Sequence, residues 1–190
     1  MTKPLLPTAD QTVGPFFRDG LVYPGDRDLV PPGSAGSIVL DGRVLDGSGD
    51  PLPDALIEIW QPGPDGAIVS DTGSRGRRPG SFSGFGRCET DPEGWYAFTT
   101  LEPAPLRPGV PAFFAVQVFA RGLLANLTTR IYLPDDAAAL DADPLLSGLP
   151  ADRRATLIAS RTGPARLTRD IRLQGSDAPG AVETVFLAFR

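Results

Sequence analysis

Residues 53–61 read Pro53-Asp54-Ala55-Leu56-Ile57-Glu58-Ile59-Trp60-Gln61, and the period of this stretch decides the fold. Ala55, Ile57 and Ile59 fall on one side of an extended chain, and Leu56, Glu58 and Trp60 fall on the other. A period of two belongs to a strand with one buried face, not to a helix. Just upstream, Gly47-Ser48-Gly49-Asp50 is a turn cluster. Before it, Ile38, Leu40 and Val44 share one face, with Asp41 and Arg43 opposite. Strand, turn and strand are therefore written into residues 37–61.

The pattern continues downstream. Asp91-Pro92-Glu93-Gly94 is a turn leading into the strand Trp95-Tyr96-Ala97-Phe98. Residues 113–119 are almost continuously apolar and read as a strand buried on both faces. Residues 128–133 give another strand. In 167–173, Leu167, Ile171 and Leu173 alternate with Thr168, Asp170 and Arg172, and in 182–189, Val185, Leu187 and Phe189 face one way. One helix is expected, over 151–160, started by Pro150, stopped by Gly163-Pro164, with Leu157 and Ile158 on its apolar side. Residues 61–86 form a long Gly/Pro/Ser-rich excursion, of a kind that is functional or interfacial. Residues 1–36 are rich in Pro and Gly and read as an extended arm. Phe16, Phe17, Leu21, Val22 and Tyr23 require a surface for that arm to lie on. There is no internal repeat. The expectation is an all-β chain: a β-sandwich of mixed or antiparallel strands over 37–190, with the N-terminal arm 1–36 and one short helix.

Composition narrows the function. A chain of 190 residues that is 41% hydrophobic can build a sizeable core. Its 22 glycines and 21 prolines have no period, which excludes collagen. A net charge of −5 without a basic stripe argues against nucleic acid as a partner. Arg75, Arg77 and Arg78 sit in a Gly/Ser-rich loop and read as solvated. Cys88 is alone, so there is no intramolecular disulfide and no cysteine zinc site. Met1-Thr2-Lys3-Pro4 does not open a secretory signal, and no apolar run approaches the roughly 20 residues that span a bilayer. The expected location is the cytoplasm, without a membrane partner.

Three segments carry a resemblance: Gly42-Arg43-Val44-Leu45-Asp46 with residues 53–61, Gly86-Arg87-Cys88-Glu89-Thr90-Asp91, and Gly94-Trp95-Tyr96-Ala97-Phe98. Together they resemble the core of the intradiol ring-cleavage dioxygenases, over nearly the whole chain. Part of the pattern also occurs in transthyretin-like β-sandwich modules, so a stand-alone binding module without catalysis is the alternative. The 36-residue arm and the 61–86 loop favour the dioxygenase reading.

In that family, two tyrosinates and two histidines hold a ferric ion, hard phenolate oxygen suiting Fe(III). The resemblance puts Ile68, after Gly66-Ala67, and Leu106, after Pro103-Ala104-Pro105, at the tyrosine positions. It puts Phe113 and Ala115 at the histidine positions. None of these can ligate iron, and the chain has no histidine. Tyr23, Tyr96 and Tyr132 read as packed, hydrogen-bonded residues, and the carboxylates lie in turns without clustering. The resemblance therefore implies a metal-free subunit with no catalytic residue of its own, inactive in isolation. Some family members pair such a subunit with a homologous iron-bearing one in a higher-order oligomer. Thr8-Ala9-Asp10-Gln11-Thr12-Val13-Gly14-Pro15-Phe16-Phe17, Phe119-Ala120-Arg121-Gly122-Leu123-Leu124 and Thr129-Arg130-Ile131-Tyr132-Leu133 look like the metal-free kind.

The resemblance also implies that Fe(III) on the partner cleaves a carboxylated catechol with O2. Thr12, Gly14 and Pro15 would then wall the substrate pocket, Gly14 permitting close backbone approach and Pro15 stiffening the turn; the other reading is a turn that only packs the arm. Arg130 would attract the substrate carboxylate, or else form a surface or interface salt bridge. Arg121, in a Gly-flanked turn, reads as structural.

Overall fold

The computed structural model describes residues 8–14, 16–69 and 81–188. Nine strands and three short helices run in the order β1 (Ser37–Leu45), β2 (Leu56–Trp60), β3 (Phe85–Glu89), β4 (Trp95–Leu101), β5 (Phe113–Phe119), β6 (Leu127–Tyr132), α1 (Ala137–Ala142), α2 (Pro144–Ser147), α3 (Ala151–Ala155), β7 (Ser160–Gly163), β8 (Arg166–Thr168) and β9 (Ile171–Arg172). They form two sheets. One has the order β4-β1-β8-β7, with β9 also on β1; the other is β3-β2-β5-β6. The second sheet is antiparallel throughout. The first is mixed, because β8 and β9 run parallel to β1 while β4 is antiparallel to it.

The core lies between the sheets. Leu40 and Val44 of β1 and Phe98 of β4 meet Ile57 and Ile59 of β2 and Phe114, Val116 and Val118 of β5, all essentially buried. The expected double burial of 113–119 is corrected here: β5 alternates buried and half-buried residues. Phe113, Ala115, Gln117 and Phe119 point away from the core, onto the outer face of the second sheet. Apolar residues on both sides of a strand imitate a doubly buried one, but here an outer cleft and the arm supply the second apolar environment.

The arm is part of the fold. Phe17 packs on Phe119 with ring centroids 5.5 Å apart, and beside it Leu56 is only 1% exposed despite facing outward. Arg18 donates to the Thr90 carbonyl at 3.2 Å. Further along, the chain laces the open edges of the two sheets. Arg87 N–H donates to Asp26 O at 2.9 Å, Leu29 N–H to Thr99 O at 2.8 Å and Ser83 N–H to Leu29 O at 3.3 Å. The Leu29 side chain enters the core, where Gly86 leaves room for it.

Three expectations shift. The helix over 151–160 ends at Ala155, and Ser160 already starts β7, since Thr156 Oγ1 and backbone bonds to 3₁₀-like partners close the last turn. The strand over 167–173 is split at Arg169, whose carbonyl lies over Gly42 and accepts the Tyr96 hydroxyl at 2.5 Å instead of staying in the ladder. Residues 182–188 form no strand: Thr184 N–H bonds Arg172 O, Val185 N–H bonds Thr156 Oγ1 and Leu187 N–H bonds Thr128 O, three partners on three elements. Phe189, Arg75, Arg77 and Arg78 lie outside the described residues. A second small core, of Tyr132, Leu140, Leu146, Leu157 and Val185, seats α1 and α2 beside the end of β6. No described helix is long and apolar enough to cross a membrane.

Candidate functional site

The site grows from the ends of β2, β5 and β6. Register places Trp60, Ala115 and Arg130 side by side across three strands, on the outer face. One step along, Phe113 pairs with Tyr132. Two loops rise beside this row. In the first, Gly63 N–H bonds Ala67 O at 2.8 Å and Ala67 N–H bonds the Asp65 carboxylate at 3.0 Å. The second is tied to it: Ala104 N–H bonds Gly63 O at 3.1 Å. Gly66, at φ +79°, lies so close to Pro105 O that a side chain would be crowded. Below the loops, buried Gln61 joins the two sheets by donating to Leu101 O at 2.8 Å and accepting from Thr100 Oγ1 at 2.5 Å.

The result is an open cleft of about 680 Å³, lined by Ile68, Leu106, Phe113 and Arg130, with Arg107 and Asp143 among its polar residues. Three of the four positions read as replaced iron ligands thus surround one cavity, and the fourth, Ala115, stands on the same face between Trp60 and Arg130. Their side chains are hydrocarbon, so these residues do not fit a ferric ion. Among the described residues no group of three His, Cys, Asp or Glu could hold a metal.

Arg130 is oriented by its own strand and the next. Its guanidinium stacks on the Phe113 ring, 4.3 Å from the centroid, and Nη1 donates to the Tyr132 hydroxyl at 3.0 Å. That hydroxyl approaches Asp143 Oδ1 at 3.5 Å. Burial raises the Tyr132 pKa, the Arg130 hydrogen bond and charge opposing it, so the phenol stays protonated. Asp143 Oδ1 accepts from Leu145 N–H at 3.0 Å and Leu146 N–H at 3.1 Å, capping α2. Arg130 has no ion pair among the described residues. Arg121 does, with Asp54.

The other tyrosines are structural. Burial raises the Tyr96 pKa, and its hydroxyl is held by Arg169 O. Among the described residues the buried Tyr23 hydroxyl has no hydrogen-bond partner, where a bonded one was expected. Thr12 and Gly14 are exposed on the arm and do not line the Arg130 cleft; Pro15 lies outside the described residues. Phe17, just beyond them, is anchored on Phe119, four residues along β5 from Ala115, roughly 14 Å at about 3.4 Å per residue. Sequence reasoning missed Asp143, Pro144 and Leu145 as a wall of the cleft, although Asp143-Pro144 is a readable helix start, an N-cap acceptor followed by Pro at N1.

A sandwich of one mixed and one antiparallel sheet is the fold of the intradiol dioxygenases. The dioxygenase domain of a carbohydrate-binding fusion protein from Streptomyces sp. SirexAA-E superposes with a TM-score of 0.57 at 24% identity, over 90% of this chain and 99% of that one, a likeness of fold. The family model described as Dioxygenase matches residues 25–175, and the chain belongs to that family. It is 36% identical over 195 residues to the protocatechuate 3,4-dioxygenase alpha chain of Burkholderia cepacia, covering 94% of this chain and 95% of the relative. The beta chain from the same organism is 32% identical over 177 residues, covering 83% and 74%.

Proposed function

We propose that this chain is the metal-free alpha subunit of a protocatechuate 3,4-dioxygenase, the enzyme that opens protocatechuate with O2 to 3-carboxy-cis,cis-muconate. The observation that carries the reading is the hydrocarbon set Ile68, Leu106, Phe113 and Ala115 in a family that works with ferric iron. Similarity along 94% of the chain to an alpha chain supports it. The iron would reside on a homologous beta subunit, and the redox chemistry would belong to that partner. This chain would contribute walls and interface. Phe16 is 78% exposed at the root of the arm, an apolar group that a partner surface would cover. Thr12, Gly14 and Pro15, just before it, would reach the partner's pocket, presenting a side chain small enough, and a backbone close enough, to flank a flat ring.

Co-expression with an iron-bearing homologue whose gene encodes two tyrosine ligands and a His-x-His strand tests this. The expected result is a stable complex that cleaves protocatechuate, whereas this chain alone binds no iron and cleaves nothing. Stoichiometric iron with tyrosinate-to-iron absorption in the isolated chain would refute it, as would a monomer that ignores the homologue.

A further inference from the structure

We propose that Phe17 and Arg18 are positioning residues for the partner's pocket: they clamp the foot of the arm to the second sheet and so fix where Thr12 and Gly14 arrive. The inference rests on the reading above, in which the arm flanks the substrate in the iron-bearing partner. Thr12 and Gly14 are exposed, and a Cβ built at Gly14 meets no atom within 4 Å. Their place is therefore set by contacts further along the chain. The Gly14 carbonyl accepts from Phe17 N–H at 3.1 Å. The Phe17 ring packs on Phe119, the last residue of β5, with centroids 5.5 Å apart. Ring, amide and Gly14 carbonyl thus form one link from the sheet to the tip.

Arg18 completes the foot. Its Nη1 donates to two carbonyls, Pro53 O and, at 3.2 Å, Thr90 O. Its Nε lies 3.3 Å from the Asp19 carboxylate and 3.7 Å from that of Glu89. The two carbonyls form a preset socket. Thr90, 1% exposed, donates from Oγ1 to Leu52 O at 2.6 Å, accepts there from Ala55 N–H at 3.0 Å, and bonds Ala55 O through its own N–H at 2.9 Å. Without this foot, the next printed tether is the Leu21 carbonyl, held by Arg87. Residues 17–20 would then have to be ordered each time the arm closes on a substrate. Ordering one backbone residue weakens binding roughly five- to thirtyfold, so a freed foot acts on substrate affinity before it acts on the iron-centred step.

Steady-state kinetics of the complex with the iron-bearing homologue test the proposal. The expected result is a KM for protocatechuate raised at least about tenfold by Arg18→Gln and by Phe17→Ala, with kcat within about threefold of native. Phe17→Tyr keeps the ring and should return KM to the native value. A purely structural role would lower the yield of complex and leave the KM of the assembled fraction unchanged. Native KM in both variants overturns the proposal, and so does a fall in kcat without a rise in KM. Should a variant fail to assemble, amide exchange in the isolated chain decides, because Phe17, Gly20, Leu21 and Val22 N–H groups are all bonded within the foot. Exchange over residues 17–22 at least about tenfold faster than native is expected; unchanged exchange overturns the proposal. A native complex that does not cleave protocatechuate refutes the reading of function itself, and that failure is seen before any variant is made.

Discussion

Arg87→Ala is the most informative perturbation of the scaffold, because Arg87 fastens the arm to the second sheet. Arg87 Nε and Nη2 both donate to Glu58 Oε1, at 2.9 and 2.5 Å, and Nη1 donates to the Leu21 carbonyl at 3.0 Å. The guanidinium also rests over Phe85, 5.6 Å from the ring centroid. The two side chains retain only 17% and 13% of their exposure. Removing one partner of such a pair leaves a desolvated carboxylate, which costs about 3–5 kcal/mol when burial is complete. Partial solvation places the change at the low end, and the abandoned Leu21 carbonyl adds about 1 kcal/mol. The expected loss is therefore about 4 kcal/mol.

The double variant Arg87→Met with Glu58→Leu removes both charges and keeps the stems packed, so it should fall within about 1–2 kcal/mol of the native chain. Urea unfolding is the assay, since guanidinium salt would screen the pair. Trp60 reports locally, 4.5 Å from the Phe85 ring. Hydrogen exchange over residues 16–23 should rise in the single variant, showing the arm released. A single variant that loses less than about 1 kcal/mol, or a double variant as unstable as the single, would refute the reasoning and make the contact a surface ornament.

Two further outcomes are expected. Burial raises the Cys88 thiol from its ordinary 9.0 to about 11, so Ellman's reagent should not modify the folded chain at pH 8; a raised thiol stabilises the fold fully below about pH 9 and loses that contribution as pH rises through 11, so the native chain should lose about 2–3 kcal/mol more than Cys88→Ala across that window in urea titrations. Tyr96→Phe takes the buried hydroxyl away from the Arg169 carbonyl and should lower stability by about 1–3 kcal/mol without altering the far-UV circular dichroism of the folded state; a variant as stable as the native chain would show that the carbonyl finds another donor.

The sandwich was legible because its core strands alternate cleanly. Ser37–Leu45 and Leu56–Trp60 lie where their alternation puts them, and Phe113–Phe119 is a strand as its apolar run implies, although only one of its faces enters the core. What remained hidden depended on contacts between distant segments. β3 was partly swallowed by the Gly-rich excursion, as Gly86 looks like a breaker until Leu29 of the arm fills the space beside it. The C-terminal segment has strand periodicity, yet side-chain hydroxyls of Thr156 and Thr184 take ladder roles there. In the site, Ile68, Leu106 and Phe113 could be named from family positions. That Arg130 shares their cleft follows from a register no single segment encodes.

The same register explains how the proposed loss of the metal would leave the fold intact. Phe113 and Ala115 point outward from β5, while Phe114, Val116 and Val118 hold the core. Ile68 and Leu106 stand on loops whose shape comes from backbone bonds among Gly63, Ala67 and Ala104. Exchanging ligands at all four positions therefore leaves the intersheet contacts untouched. The motifs that carry the family resemblance do different work. Gln61 ties the sheets together, Thr90 donates to Leu52 O at 2.6 Å and accepts from Ala55 N–H at 3.0 Å, and Asp91 accepts from Glu93 and Trp95 N–H to close the turn before β4. Fold and cleft lining occupy separate sets of residues, so the resemblance rests on one set while the other can vary. A hydrocarbon-walled cleft with one oriented guanidinium is what the second set leaves behind.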